Sequence, residues 1–384
     1  MAESGSPDRS LRVLMVTRKW PPTIGGMETY SYKLADALRE RVDLNVKALP
    51  GNADGSTASI WRLTWFVCRT AFHLLRHAGR YDIVHFTDPV LLPLASCVRL
   101  RGKAACFVTV HGLDMIYHRR RTMAGRLYAL FMRLAVRIRS SVCCVIANSH
   151  HTASLAEEAG FGPVNVVPLG ASIPEVRHVS ERSDNPYLLF VGRLVPRKGL
   201  SWFIRNVLPE LPEEVRLKVV GTPWEQRELE AVRESPRADW IGPVSNDRLG
   251  ALLAGAMATI MPNIPTPAGT DVEGFGLVAL EAGAAGSVPV VASLEGLKDA
   301  IKEGENGFQV EAENPARWRD TLLQILNWSD EERRAFREKM RNTIAEHFTW
   351  SIVADRTVDL YQQACSANTD TKGSIEQNTK GART

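Results

Sequence analysis

An α/β fold built on two doubly wound parallel sheets is what this chain of 384 residues predicts. Three observations lead there. Short apolar runs rich in β-branched residues recur along the sequence, each followed by a stretch with helical periodicity, and strands alternating with helices give parallel sheets. The runs are apolar throughout instead of alternating with polar residues, which is the pattern of strands covered on both faces. Near the middle, ASIPEVRHVSERSDNP at 171–186 turns polar and carries two prolines, marking a linker between two such series. A chain of this length makes two domains, each large enough to bury its own core.

Taken in order, the first series places strands at 13–17 (VLMVT), 44–48 (LNVKA), 83–87 (IVHFT), 107–110 (FVTV), 143–147 (CCVIA) and 165–167 (NVV), with helices in the gaps. The second restarts at 188–191 (LLFV) and continues at 217–220 (LKVV), 258–261 (ATIM) and 288–291 (VPVV). From 314 onward the pattern is all helix, the last helix lying around 350–363. The boundaries expected are 1–178, 179–347, a helix within 348–365, and a polar tail at 366–384 that has no core-forming pattern and should be disordered.

The hydrophobic share of 45% and charged share of 23% are those of a globular protein. Cys68, Cys97, Cys106, Cys143, Cys144 and Cys365 include no C-x-x-C pair and mostly sit in apolar runs, so they read as reduced, buried thiols of a cytosolic protein. The start, MAESGSPDRS, has no apolar core of a signal peptide, and no run of 18 apolar residues suggests a membrane span. A cytoplasmic location, peripheral on the inner face of a membrane, is expected.

The net charge of +4 hides an asymmetry: residues 56–146 carry fourteen Lys and Arg against three acids, +11, leaving −7 for the remainder. Within this segment Arg126, Arg133 and Arg137 share one helical stripe, and Leu127, Leu130, Phe131, Leu134 and Ile138 form another. The apolar stripe is expected to face the core, since every helix of an α/β domain needs an inward side. The arginines fit an anionic lipid surface. Nucleic acid is the competing partner, but no nucleic-acid motif accompanies the charge and none is expected to bind.

Three segments carry chemistry. In VEGFGLVALEAGAAGSVPVVAS at 272–293, Glu273 and Glu281 bracket a Gly274-Phe275-Gly276 turn that opens a helix at Leu277. Glycines let backbone amides approach a bound group, and a helix start favours an anion. A diphosphate flanked by two sugars suits that arrangement. In FVGRLVPRKG at 190–199, Arg193 and Lys198 follow a strand end, an Arg fork and a mobile Lys charge both being phosphate ligands. After the first strand, Gly25 and Gly26 precede a helix and form a second phosphate-sized turn. Neither G-x-G-x-x-G nor G-x-x-x-x-G-K-[ST] is present, so a dinucleotide fingerprint and a P-loop are both excluded.

Together with VTVHGLD at 108–114, ANSHHTASLAEEAGF at 147–161, VVPLG at 166–170 and ENGFQVEAENP at 305–315, these segments resemble the retaining GT-B glycosyltransferases of glycosyltransferase family 4. The resemblance implies two Rossmann-like domains facing across a cleft, with the final helix crossing back to the first. It implies that Glu273 contacts the donor sugar, Glu281 the nucleotide ribose and His111 the donor sugar region. Arg193, Lys198 and the Gly25–Gly26 loop would hold the diphosphate, with the amides at Gly274, Phe275, Gly276 and Leu277 beside it. One departure stands out: the run Leu169, Gly170, Ala171, Ser172 replaces the Asn-Gly-Val-Asp frequent in that family.

The resemblance implies transfer of a sugar from a UDP- or GDP-linked donor to a hydroxyl of a glycan or lipid-linked acceptor, with retention. No Asp-x-Asp motif sits at a strand end and cations can do a metal's work, so no metal and no further cofactor are expected. His111, at the end of a buried strand, is assigned to donor binding, and Asp114 is left open. A glycosidase would use Glu273 and Glu281 as a carboxylate pair. An epimerase, an inactive nucleotide-sugar-binding subunit of the same fold, and a transferase with a small soluble acceptor are the other readings.

Overall fold

The computed structural model describes residues 10–381 apart from 24, 53–55, 103, 139–140 and 174–185, and leaves the side chains of 268 and 368–381 undescribed. Most of the linker expected at 171–186 therefore lies outside the described residues. The chain divides into two compact units, the first of Met1–Asn148, Thr152–Val167 and Trp350–Thr384, the second of Ser149–His151 and Pro168–Thr349.

The first unit runs β1 (Arg12–Trp20), α1 (Gly26–Leu38), β2 (Asp43–Pro50), α2 (Ile60–His77), β3 (Ile83–Phe86), α3 (Ala95–Arg101), β4 (Ala105–Val110), α4 (Leu113–Ile116), α5 (Met123–Ile138), β5 (Cys144–Ala147), α6 (His150–Glu158) and β6 (Val164–Val166). Its six strands are parallel in the order β2-β1-β3-β4-β5-β6. Val13–Val16, Val84 and Val108 are fully or almost fully buried, as strands covered on both faces must be. Right-handed crossovers put α1 on one face of this sheet; the chain reverses direction after β2, so α2, α3 and α5 lie on the other. Accordingly α2, α3 and α5 all pack against the 3-10 turn Pro89–Leu94, whereas α1 packs against the last helix of the chain.

The second unit runs β7 (Tyr187–Val191), α7 (Leu200–Asn206), β8 (Arg216–Val220), α8 (Gln226–Glu234), β9 (Ala238–Gly242), α9 (Asn246–Gly255), β10 (Ala258–Met261), α10 (Leu277–Ala285), β11 (Val288–Ala292), α11 (Leu297–Ala300), β12 (Phe308–Val310), α12 (Pro315–Leu326) and α13 (Asp330–His347). Its sheet is also parallel, in the order β12-β11-β10-β7-β8-β9. Phe190, Phe203, Leu217, Ile260, Val290 and Trp318 form its core, and the Trp318 indole donates to Glu311 O at 3.1 Å. The sequence reading missed β9 and β12. Both are short edge strands, and with neighbours on one side only they need no long apolar run; Asp239 and Trp240 of β9 are exposed.

The final helix, α14 (Trp350–Gly381), belongs to the first unit and packs on α1 and β4. The Tyr361 hydroxyl lies 2.5 Å from His85 Nδ1, and Arg41 binds Asp355 and Ser351 at 2.6 Å each. The helix runs past the expected 350–363, to Gly381. Propagating an existing helix adds one hydrogen bond per residue without a new nucleus, which a polar composition does not forbid.

Two further expectations are corrected. The six cysteines are free thiols, but only Cys106 and Cys144 are buried; Cys97 and Cys365 are half-buried, and Cys68 and Cys143 are exposed. In α5 the leucine stripe faces outward: Leu127, Leu130 and Leu134 are exposed, while Gly125, Met132 and Ala135 turn inward. Two apolar faces compete on this helix, and the small residues of the inner one let its backbone come close to the layer beneath. Among the described residues no helix is long and apolar enough to cross a membrane.

Candidate functional site

In each sheet the strand order reverses once, between β7 and β10 in the second and between β1 and β3 in the first. Loops leaving the carboxyl ends of such a pair diverge to opposite faces and leave a crevice for a ligand. Arg193 and Lys198 fall on the loop after β7, Glu273 on the loop after β10 and Gly25–Gly26 on the loop after β1, whereas His111 follows β4 and Glu281 lies within α10.

In the second unit the loop after β7 is pinned by glycines. A Cβ on Gly221 would lie 1.8 Å from Gly192 O, so two strand ends meet here backbone to backbone. Gly199, in the left-handed region at φ 67°, ends the 3-10 turn Pro196–Lys198, and its Cβ would lie 1.8 Å from Pro262 O. The Ile264 N–H donates to Arg197 O at 3.0 Å. The β7 loop is thereby pressed onto the chain that leaves β10, and Arg197 and Lys198 become buried beside Glu273.

One oxygen of Glu273, Oε2, accepts from Lys198 Nζ, from Arg197 Nη1 at 2.7 Å and from Asn263 Nδ2 at 3.3 Å. Arg197 Nε also lies 3.1 Å from Asp271 Oδ1. Burial pushes the Glu273 carboxyl up, but the charges of Lys198 and Arg197 outweigh it and hold the group well below the usual carboxylate range. Burial lowers the Lys198 ammonium against the pull of Glu273. The Glu273 N–H donates to Glu295 Oε2 at 2.5 Å, and Glu273 O accepts from Gly296 N–H at 3.1 Å. Glu295 has a left-handed φ of 52°, and its carboxyl is pushed up to about 7, first by burial and then by the charge of Glu273.

Helix α10 starts at Leu277 after Gly276, with no side chain capping its first amides. Phe275 is a core residue, so only its backbone is available to a ligand. Glu281 is the fifth residue of α10 and half-buried, about 6 Å along the axis from the helix start. Arg193 is exposed, and its guanidinium stacks over the Trp224 ring at 4.6 Å. The structure thus joins Glu273 to Lys198 directly and holds Arg193 on a separate support.

In the first unit His111 follows β4 and is buried. Its Nε2 lies 2.9 Å from Thr87 O, which can only accept, so Nε2 carries the proton and Nδ1 is the ring's acceptor. The Tyr30 ring packs edge-on at 4.9 Å. Burial lowers the His111 pKa, keeping the ring neutral. Both Asp114 oxygens accept from the His111 N–H, at 2.9 and 3.0 Å, and burial with Asp88 nearby pushes Asp114 up to about 7. Asp114 therefore holds the backbone at His111. The Gly25–Gly26 turn opens α1 as expected, but the first turn of that helix carries buried Glu28, paired with Lys19 at 3.1 Å. A Cβ on Gly25 would lie 2.6 Å from Glu28 Oε2. Arg18 pairs with buried Asp88 at 2.6 Å.

Arg197, Asn263, Asp271, Glu295 and Trp224 were missed from the sequence. Arg197 adjoins Lys198 and was within reach of a motif argument. Glu295 lies 22 residues after Glu273, and only the fold brings it there. Among the described residues no group of three His, Cys, Asp or Glu could hold a metal ion.

Two family models match the chain, "Glycosyltransferase Family 4" over residues 24–173 and "Glycosyl transferases group 1" over 185–327. Among curated relatives, a D-inositol 3-phosphate glycosyltransferase of Xylanimonas cellulosilytica is 34% identical over 189 residues, 47% of this chain and 43% of that protein. A GDP-mannose-dependent alpha-(1-6)-phosphatidylinositol monomannoside mannosyltransferase of Mycobacterium tuberculosis is 25% identical over 400 residues, 91% of this chain and 97% of that one. The matches to the first relatives span about half of their length. Among solved structures, sucrose-phosphate synthase of Thermosynechococcus elongatus aligns with TM-score 0.72 at 18% identity, over 93% of this chain and 100% of that one. Anabaena HepE in complex with UDP aligns with TM-score 0.70 at 17% identity, over 92% and 100%. These likenesses establish the two-domain GT-B fold, and with the two family models they place the chain among the group 1, family 4 glycosyl transferases.

Proposed function

We propose that this chain moves a sugar from a nucleoside-diphosphate sugar, UDP- or GDP-linked, to a hydroxyl of a lipid-linked or cell-surface glycan acceptor, with retention and without a metal. The observation that carries this reading is the buried cluster of Lys198, Arg197 and Glu273 at the switch point of the second sheet, beside the uncapped start of α10. As the glycosidic bond loosens, its electron pair passes to the departing diphosphate. Lys198, Arg193 and the amides from Gly274 to Leu277 meet that charge where little rearrangement is needed. Glu273, kept ionised by its two cations, accepts hydrogen bonds from sugar hydroxyls. Glu281 takes the ribose, and the Nδ1 of neutral His111 accepts from a sugar hydroxyl.

The same electrostatics weigh against Glu273 as the general acid of a glycosidase. A general acid needs a raised pKa, and Glu273 is driven the other way. The relative named for GDP-mannose and for a phosphatidylinositol monomannoside supports a guanosine donor and a lipid-borne acceptor; the UDP complex of HepE supports a uridine donor equally. Thermal stabilisation by UDP, GDP and ADP and their sugars, with EDTA present, is the test. A shift with one nucleotide, lost in Glu281→Ala and Lys198→Ala, supports the reading and names the base. No shift with any nucleotide overturns it.

A further inference from the structure

We infer that α2 and α5 form a bilayer-insertion face, so that the first unit binds an anionic membrane by sinking apolar side chains as well as by charge. This deepens the reading above, whose acceptor is lipid-borne. Of thirteen exposed large hydrophobic residues among those described, ten lie on α2, α3 and α5, the three helices that share one face of the first sheet. On α2, Trp61, Trp65 and Phe72 are 81%, 70% and 65% exposed, while Thr70 and Leu74 are its only buried residues. On α5, Met123, Leu127, Leu130 and Leu134 recur at spacings of four, three and four, one stripe of a helix, and all point outward. Soluble surfaces carry such residues singly, and ten of them on three helices of one sheet face mark an interaction surface.

Charge selects the occupant. Arg62, Arg69 and Arg76 recur every seven residues on α2, and Arg126, Arg133 and Arg137 run along α5; all six are exposed. Each set lies on the flank of its helix's apolar stripe, where a long side chain can reach headgroups while the stripe enters the acyl region. Trp61 and Trp65 suit the boundary between those layers. A second copy of this chain would set one +11 segment against another, and like charge opposes that pairing. Anionic headgroups satisfy both stripes at once.

The test is sedimentation of the full chain with vesicles of phosphatidylglycerol and phosphatidylcholine, and with phosphatidylcholine alone, together with tryptophan emission. Binding to the anionic vesicles with a blue-shifted emission is expected, and part of it survives about 0.5 M salt, where surface charges are screened within a few Å. The paired changes Trp61→Ser/Trp65→Ser and Leu127→Ser/Leu130→Ser each weaken partitioning about tenfold or more, since each removes several buried CH2 groups. Their melting temperatures stay at the wild-type value because these side chains are exposed. Binding that high salt abolishes completely, or that both variants retain, overturns insertion. A self-association seen by light scattering that the same variants abolish, without vesicle binding, assigns the face to a second copy and also overturns it. Nucleotide stabilisation measured on the same protein separates this failure from failure of the transferase reading.

Discussion

After β7 the second unit buries two cations against the single oxygen Glu273 Oε2 and stacks a third, Arg193, on an aromatic ring. After β1, β3 and β4 the first unit sets a neutral His111 among Asp88, Asp114 and Glu28, with Arg18 and Lys19 each taken up by a carboxylate. The two places are topologically alike: both lie at the carboxyl ends of parallel strands where the order reverses. Their chemistry differs because the side chains on the loops differ. The fold supplies a crevice, and the residues decide whether it gathers anions or hydroxyls. Glycine plays a different part in each as well. In the second unit it lets two loops touch through their backbones, and in the first it makes room for a buried carboxylate.

The contrast can be broken most strongly at Lys198. Lys198→Ala should lower kcat about 10²- to 10³-fold and remove donor-induced stabilisation, as loss of one preorganised charge-stabilising donor does; an unchanged kcat would move the anion site elsewhere. Glu273→Gln should cost about 3 kcal/mol in urea unfolding, because two buried cations lose a counter-ion. On the other side of the comparison, His111→Ala should lower kcat/KM about ten- to a hundredfold, the equivalent of one or two lost hydrogen bonds, with no change in nucleotide stabilisation. If nucleotide stabilisation fell too, the two places would not differ in ligand as described.

Smaller effects sharpen the picture. Burial pushes the Glu295 carboxyl up to about 7, above its ordinary value, so its contribution to stability is full below about pH 4.5 and is lost as pH rises through about 7. Glu295→Gln should therefore flatten the fall in unfolding free energy between about pH 5 and 7 by about 1 kcal/mol, the group being partly exposed. An identical slope in both proteins would count against a raised pKa. Trp224→Ala should cost a few-fold in donor affinity, the size of an exposed cation–π contact holding Arg193 in place.

Much of the fold was legible because parallel strands buried on both faces must be apolar runs; VLMVT, IVHFT and LLFV announce themselves. The edge strands β9 and β12 lack that constraint and went unread. In the site, Glu273 and Lys198, which the structure joins, could be picked out from glycines and charges placed around a helix start. Glu295 could not, since its approach to the Glu273 N–H depends on a left-handed backbone after β11 and on Gly296 lying against Gly274. The outward turn of the α5 leucines was illegible for another reason: periodicity says that a helix has an apolar stripe, not which way the stripe faces.

The sequence by itself determined the α/β class, the order of nearly all the strands along the chain and the residue types able to meet a diphosphate, because burial and charge are properties of local pattern. Only the tertiary structure decided that Lys198 and Arg197 share one oxygen of Glu273, that Asp114 anchors the backbone of His111, and that α2 and α5 present aromatic and leucine side chains outward. Each of these depends on which strand ends become neighbours and on which face of a helix meets the sheet, and contacts between distant parts of the chain settle both.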